Sequence, residues 1–354
     1  MRGLNFPIYK TKVDGLTKKF NLTTLEGRRD YFEAKAGLEI RQIKEFLREQ
    51  TFIAYFLGKK NAGKGTYTQL FIEIFGEEKI AHVSVGDVVR AAHMLLAGED
   101  QGLRQHLEKN YRGDLPLEEA VRSLLGRSAK KLLPTELILA LIKWEVDKYP
   151  GRSIFIDGFP RSLDQISYSL FFRELIGHRD DPDFFILIDV PMAVIDERLK
   201  SRVVCPKCHT PRSTKLAVTK EIGYDKKTGE FYLMCDNPKC HLERMVAKEG
   251  DELGIETIRA RLEADEELIK KAFTLSGVPK VLLRNSIPAV EAETAVDSYE
   301  ITPEYVLKYD EKSDKVVVEE KPWIFRDDEG ADSCSLLPAP ATVSLIHQMA
   351  DILG

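Results

Sequence analysis

The sequence predicts an α/β fold in which a parallel sheet is covered by helices on both faces. Three observations predict it: apolar runs at residues 52–57, 153–156 and 184–190, helical periodicity between them, and a glycine-bearing loop that ends the first run. A strand that is apolar along its whole length has no solvated face, which is the pattern of a parallel sheet buried on both sides. With 354 residues the chain can bury a substantial core, as one large domain with insertions or as two domains.

Composition bounds the function classes. Hydrophobic residues make up 43% and charged residues 31%, which is the balance of a globular chain rather than a disordered or membrane one. No apolar run approaches the roughly 20 residues of a spanning helix, and residues 1–7 lack the apolar core of a signal peptide, so no membrane partner and a cytoplasmic location are expected. The formal net charge of -5 provides no basic excess, so nucleic acid is not expected as a partner and any basic site is local. Of the five cysteines, four stand in two close pairs, which suits a metal site in a reducing compartment better than a disulfide framework.

In chain order, residues 1–50 read as an N-terminal extension that ends in a helix around residues 38–47, where apolar positions recur at helical spacing. Residues 51–83 hold the first strand, the loop and a helix over 67–75. Residues 84–135 are richer in charge and helix formers and interrupt the strand pattern; 136–198 resume it with the second and third strands. Residues 199–252 contain the cysteine pairs, and 253–278 read as a core helix. Residues 279–340 form an added β-containing segment, in which 306–309 and 315–318 flank an acidic turn as a hairpin would. Residues 341–354 close the chain as a helix, and no internal repeat is visible.

The loop at residues 58–66 reads Gly-Lys-Lys-Asn-Ala-Gly-Lys-Gly-Thr. Small residues let the backbone approach phosphate oxygens, amides face inward, and a helix N-terminus stands behind them, so the spacing predicts a polyphosphate cradle of the P-loop NTPase type. Gly58, Asn61, Ala62, Gly63, Gly65 and Thr66 would surround the phosphates of ATP, and Lys64 would reach the terminal ones. Gly65 takes the place where many such loops carry Ser or Thr. Asn61 is the non-glycine residue type best suited to left-handed backbone in such a turn.

Four blocks then resemble the adenylate kinase, or more broadly nucleoside monophosphate kinase, family. They are this loop, residues 84–90 (Ser-Val-Gly-Asp-Val-Val-Arg), residues 157–161 (Asp-Gly-Phe-Pro-Arg) with Gln165 beyond, and Arg198 and Arg202 leading into a cysteine-bearing lid. The resemblance covers about residues 52–278 and the last helix. It implies that residues 84–135 are an insertion binding the acceptor nucleotide, contributed to by Ser84, Val85, Arg90, Leu133, Gly158, Arg161 and Gln165, with Gln165 reading the base and Leu133 along its pocket. Arg90 and Arg161 would neutralise the acceptor phosphate with planar forks that stay charged. Val85 stands where adenylate kinases usually carry Thr, so one polar contact to adenine is missing.

Cys205-x2-Cys208 and Cys235-x4-Cys240 suit a tetrahedral structural zinc, with a hairpin around residues 225–229 between the pairs. The wider second pair leaves open that His209 or His241 replaces one thiol; Cys334 reads as a buried small residue. By the resemblance, residues 199–252 form a lid over the donor, and Arg198, Arg202 and Arg261 surround the transferring group. A further family arginine is absent, and Lys248 stands near its place with a charge but no fork.

The reaction expected is reversible, magnesium-dependent transfer of the terminal phosphoryl group of ATP to a nucleoside monophosphate, AMP first, giving two diphosphates. The expected catalytic set is Lys64, Arg90, Arg161, Arg202, Arg261 and Asp157, with Asp157 orienting Mg2+ through its water ligands. A monomer is expected. Two alternatives stay open: a phosphate-loop kinase with another small acceptor, and a nucleotide-binding regulatory protein.

Overall fold

The computed structural model describes residues 3–126, 133–170 and 181–354. Residues 127–132, within the expected 84–135 insertion, and 171–180, within the 136–198 stretch, lie outside them, as do residues 1 and 2.

Ile53–Gly58 (β1) is the middle strand of a five-stranded parallel sheet whose spatial order is Ile80–Ser84 (β2), Ser153–Asp157 (β3), β1, Asp183–Asp189 (β4), Lys280–Arg284 (β10). Tyr55 pairs with Ile156 on one side and Phe185 on the other. Because β1 has neighbours on both edges and helices over both faces, its residues from Ile53 to Leu57 are all buried, as their unbroken apolar run requires. Phe52, Phe155 and Phe184 meet across one face with centroids 5.2 and 5.6 Å from Phe52, at tilted or edge-on angles that add about 0.5–1.5 kcal/mol per pair beyond area burial.

Two strands carry a weaker signal. β2 contains His82, and β10 has Lys280 and Arg284 at its ends. Sequence reading leaves Lys280–Arg284 in the added segment; in the structure it pairs with β4, Leu282 opposite Leu187. As an edge strand it buries only Val281 and Leu283, and that alternation hides it among charged neighbours.

The N-terminal helix (α1) begins at Leu25 and runs to Glu49, well before the expected stretch, because Thr24 caps it by accepting the Gly27 amide at 3.1 Å. It is not a free appendage. Tyr31, Phe32, Ile40, Ile43 and Leu47 enter the same cluster as Phe52 and Phe155, and α1 packs along the last helix, Pro338–Leu353, with Gln42 Nε2 donating to Ala350 O at 3.0 Å.

The added segment forms a small antiparallel sheet from Ser286–Pro288, Asp332–Ser335 and Ile324–Arg326, and a hairpin from Pro303–Asp310 to Lys315–Pro322. The hairpin leans on the cysteine-bearing insertion. Tyr309 stacks on Tyr224 at 4.3 Å, Lys226 lies 2.8 Å from Asp314, and the Tyr305 amide donates to Lys215 O at 2.7 Å. No helix among the described residues is long and apolar enough to cross a membrane.

Candidate active site

β1 ends at Gly58, and the chain must reverse its local direction before helix Lys64–Phe75 (α2) can start. It does so through positive φ at Asn61 (66°) and Gly63 (98°), the second of which caps the helix. Asn is the side chain that tolerates that region most readily, so the loop keeps its turn without a glycine at position 61. Gly63, Lys64, Gly65 and Thr66 line a cavity of about 640 Å³ together with Asn61 and Ala62, so the positive end of α2 opens into it.

Lys64 Nζ donates to Gly58 O at 2.9 Å and to Lys59 O at 3.3 Å, and lies 3.7 Å from Asp157 Oδ1 at the end of β3. A second, smaller cavity of about 200 Å³ continues from this point, lined by Lys60, Lys64, Asp157, Arg161, Arg261 and Asp265 among others. Its polar wall is nearly all charge. Asp265, one helical turn after Arg261 on Arg259–Thr274 (α9), accepts the Lys60 amide at 3.0 Å. Burial raises the Asp265 carboxyl against the opposing pull of Lys64 and Arg261; burial first, then Arg261 and Arg202, lowers Lys60.

After β3, Gly158 takes φ 88°, and a Cβ there would stand 2.9 Å from Arg161 Nη2; the guanidinium folds back over a residue with no side chain, and Arg161 Nε donates to Gly158 O at 2.8 Å. A Cβ on Gly86 would lie 3.6 Å from Arg90 Nη1 and 3.8 Å from Arg161 Nη2, so the two guanidinia converge on one point. Arg90 is exposed and pairs with Asp87, whose carboxyl is lowered by the Ser84 hydroxyl first and by Arg90 as well. Gln165 is buried: its Oε1 accepts the Arg161 amide at 2.8 Å and its Nε2 donates to Thr135 Oγ1 at 3.1 Å. Val85 and Leu133 lie in the core with Val88 and line neither cavity; Ser84 holds Asp87.

On the lid side, Arg198 on Met192–Lys200 (α8) donates to Asn61 O at 3.1 Å and lines the larger cavity with Arg202. Arg202 is held by two bonds to Asp251, at 2.5 and 2.7 Å, a bidentate pair of fixed direction. Arg261 is exposed at the smaller cavity and takes part in no ion pair among the described residues. Lys248 is exposed and borders a third opening with Arg202, Cys205 and His209.

The four thiols Cys205, Cys208, Cys235 and Cys240 converge, with all Sγ within 4.8 Å of one another. Cys208 and Cys235 Sγ are 3.6 Å apart, where a tetrahedral zinc with Zn–S of about 2.3 Å needs about 3.8 Å. His209 and His241 each follow the second cysteine of a pair with positive φ (57° and 52°) and are exposed; they are turn residues, and the groups that converge are four sulfurs. Cys334 is buried, apart from the cluster.

Sequence reasoning missed several contributors. Asp265 was within reach, since it follows Arg261 at helical spacing and so shares its face. Asp251, the partner of Arg202, is distant in sequence and has no such signal. Thr302, Ser335, Leu336 and Leu337 form a wall of the larger cavity, and nothing in their local pattern marks them.

A phosphate loop between a parallel strand and a helix, facing arginines from separate elements of the chain, defines a nucleotide-binding protein of the phosphate-loop class. No family model matches the chain. It is 33% identical over 153 residues to an adenylate kinase of Clostridium acetobutylicum, covering 43% of this chain and 60% of that protein's length. It is 27% identical over 230 residues to an adenylate kinase of Thermotoga neapolitana (65% and 87%), and 27% identical over 201 residues to a mitochondrial GTP:AMP phosphotransferase of Drosophila melanogaster (54% and 74%). The chain is thus similar to adenylate kinases, and it spans about 60% of the length of the relative it matches at 33% identity.

Proposed function

We propose that this protein transfers the terminal phosphoryl group of ATP to a nucleoside monophosphate, with AMP as the preferred acceptor. The observation that carries the reading is the convergence of Lys64, Asp157, Arg161 and Arg261 on one cavity that adjoins the phosphate loop, with Arg90 beside Arg161. The names of the relatives support it: a GTP:AMP phosphotransferase is among them.

Phosphoryl transfer asks little covalent chemistry of a protein; the work is positioning two anions in line and neutralising charge that spreads onto the transferred group. In this reading the α2 N-terminus and Lys64 hold the donor phosphates, with Lys64 exchanging its present bonds to Gly58 O and Lys59 O for phosphate oxygens. Arg90 and Arg161 grip the acceptor phosphate, and Arg198, Arg202 and Arg261 face the developing charge from the lid side. The magnesium that accompanies ATP would lie near Asp157, the carboxylate beside Lys64. Gly65 leaves the loop without a hydroxyl at the usual magnesium-binding position, so the protein's share in holding the ion rests on Asp157 through water.

Zinc fits the four thiols, and when bound it supplies a rigid cross-link between the two cysteine turns. A lid so stiffened closes as one body over the donor and excludes water, which would otherwise accept the phosphoryl group.

Purified protein with ATP, Mg2+ and each of AMP, GMP, CMP and UMP tests the reading. Diphosphate formation fastest with AMP is expected; none from any of the four would sink the kinase assignment, and a clear preference for another base would sink AMP. The monomeric state and a cytoplasmic location are the remaining parts of the proposal.

A further inference from the structure

Lys59 belongs to the phosphate loop but lines neither cavity. Its side chain is fully buried and points behind the loop, where Nζ donates to Val190 O at 3.2 Å and lies 3.4 Å from Asp328 Oδ2 and 3.5 Å from Glu266 Oε2. Two of these groups stand on or beside helices that deliver cations to the cavities. Val190 leads into α8, which carries Arg198; Glu266 is on α9, next to Asp265 and one turn beyond Arg261. Asp328 comes from the turn between Ile324–Arg326 and Asp332–Ser335 in the added segment, and its other oxygen accepts the Met192 amide at the start of α8, at 2.9 Å. On the loop side, Lys59 O accepts from Lys64 Nζ.

A buried ammonium is tolerable only while its counter-charges stay in place, so it constrains the geometry of everything that touches it. Here those elements are the loop, α8 and α9. Glu266 also pairs with Lys270 at 3.2 Å, so an uncharged side chain at position 59 would remove the one cation that Asp328 and Glu266 share and with it the link between the start of α8 and α9, the helices that deliver Arg198 and Arg261.

We propose that Lys59 is a positioning residue for the donor site, with Asp328, supplied by the added segment, as its counter-charge. The pair locks the back of the phosphate loop against α8 and α9. The proposal rests on reading this site as the ATP site, and it gives the added segment a part in donor binding although it contributes none of the phosphate-facing cations. Lys59 is too far behind the loop to touch phosphate itself, so its loss acts on the donor and leaves the acceptor side, where Arg90 and Arg161 stand on other elements, as it was.

Calorimetric titration of the full-length chain with MgATP alone, and with AMP alone, tests this in wild type, Lys59→Met and Asp328→Asn. MgATP affinity is expected to fall about tenfold in Lys59→Met and about threefold in Asp328→Asn, with AMP affinity changed less than twofold, since small displacements of a binding loop have effects of this order or larger. Asp328→Asn keeps an oxygen for the Met192 amide, so it carries the test if Lys59→Met fails to fold. Unchanged MgATP affinity in the folded variants, or equal losses for both nucleotides, overturns the proposal. Wild-type protein that binds MgATP yet transfers nothing to AMP would remove the kinase reading alone, because the positioning of the loop is still read in the MgATP affinities.

Discussion

Asp265 accepts the Lys60 amide while half-buried at the cavity wall, and burial raises its carboxyl above the ordinary range despite Lys64 and Arg261 nearby. The folded state therefore holds the proton more tightly than the unfolded chain does. The group's contribution to stability is best below the ordinary aspartate value of about 3.9, declines as pH rises through the elevated folded value, and is constant above it. Asn has no such dependence, and its oxygen still accepts the Lys60 amide. Asp265→Asn is expected to gain on wild type in melting temperature as pH rises above the ordinary aspartate range, with the difference levelling off above the elevated folded value. A difference that does not vary with pH would show that the carboxylate is ionised in the fold at no cost. The same residue illustrates what was legible in the site. Lys64, Asp157, Arg161 and Arg261 were marked by short motifs, whereas the acid that sits among them is one of many on a charged helix and is distinguished by its bond to the Lys60 amide.

In the cysteine-bearing insertion, short strands and turns replace a core of its own. Its buried cluster is Cys205, Leu233, Cys235, Cys240 and Met245, so three of the five residues are proposed metal ligands. A unit with so little apolar area would depend on the proposed zinc cross-link for its shape. The hairpin Pro303–Asp310 and Lys315–Pro322 rests on it through the Tyr224–Tyr309 stack and the Tyr305–Lys215 bond. Removing zinc with a chelator should thus raise amide exchange throughout residues 202–247 and, to a smaller degree, in residues 303–310, while β1 and α2 stay protected. Losing one aromatic stack of about 1 kcal/mol corresponds to roughly fivefold faster opening, which is the size expected in the hairpin. Protein that holds no stoichiometric zinc as purified, or whose exchange pattern ignores the chelator, would refute the cross-link. The cysteine spacing made this unit visible in the sequence; its contact with the hairpin was not, because Tyr224 and Tyr309 carry no pattern that pairs two segments so far apart in the chain.

The whole molecule is held by groups that sequence periodicity does not single out. The parallel sheet could be read from its central strands, since burial on both faces leaves only apolar side chains there, but β10 and α1 looked like parts of extensions because edge and surface elements keep one face polar. What joins those extensions to the core is a buried polar network. Lys35 on α1 donates to Thr11 O and to Asp297 Oδ2, both at 2.7 Å, and lies 3.7 Å from Glu300 Oε1. Glu300 accepts from the Thr11 hydroxyl at 2.7 Å and the Tyr31 hydroxyl at 2.5 Å. The side chains of Lys35 and Glu300 are fully buried and line neither cavity, and the network ties residues near the N-terminus, α1 and the added segment into one joint, whose Glu300 carbonyl accepts the amide of Leu337 in the wall of the larger cavity at 2.8 Å. Taking one charge from such a joint leaves the opposite charge buried without compensation, at about 3–5 kcal/mol. Lys35→Met is therefore expected to lose stability of that order in urea unfolding, in a single transition that includes the central sheet. If α1 and the N-terminal segment were a loosely docked extension, the variant would release them in an early transition and leave the main midpoint where it was. That result would separate the extensions from the core that the buried cluster of Tyr31, Phe32 and Phe52 makes continuous with them.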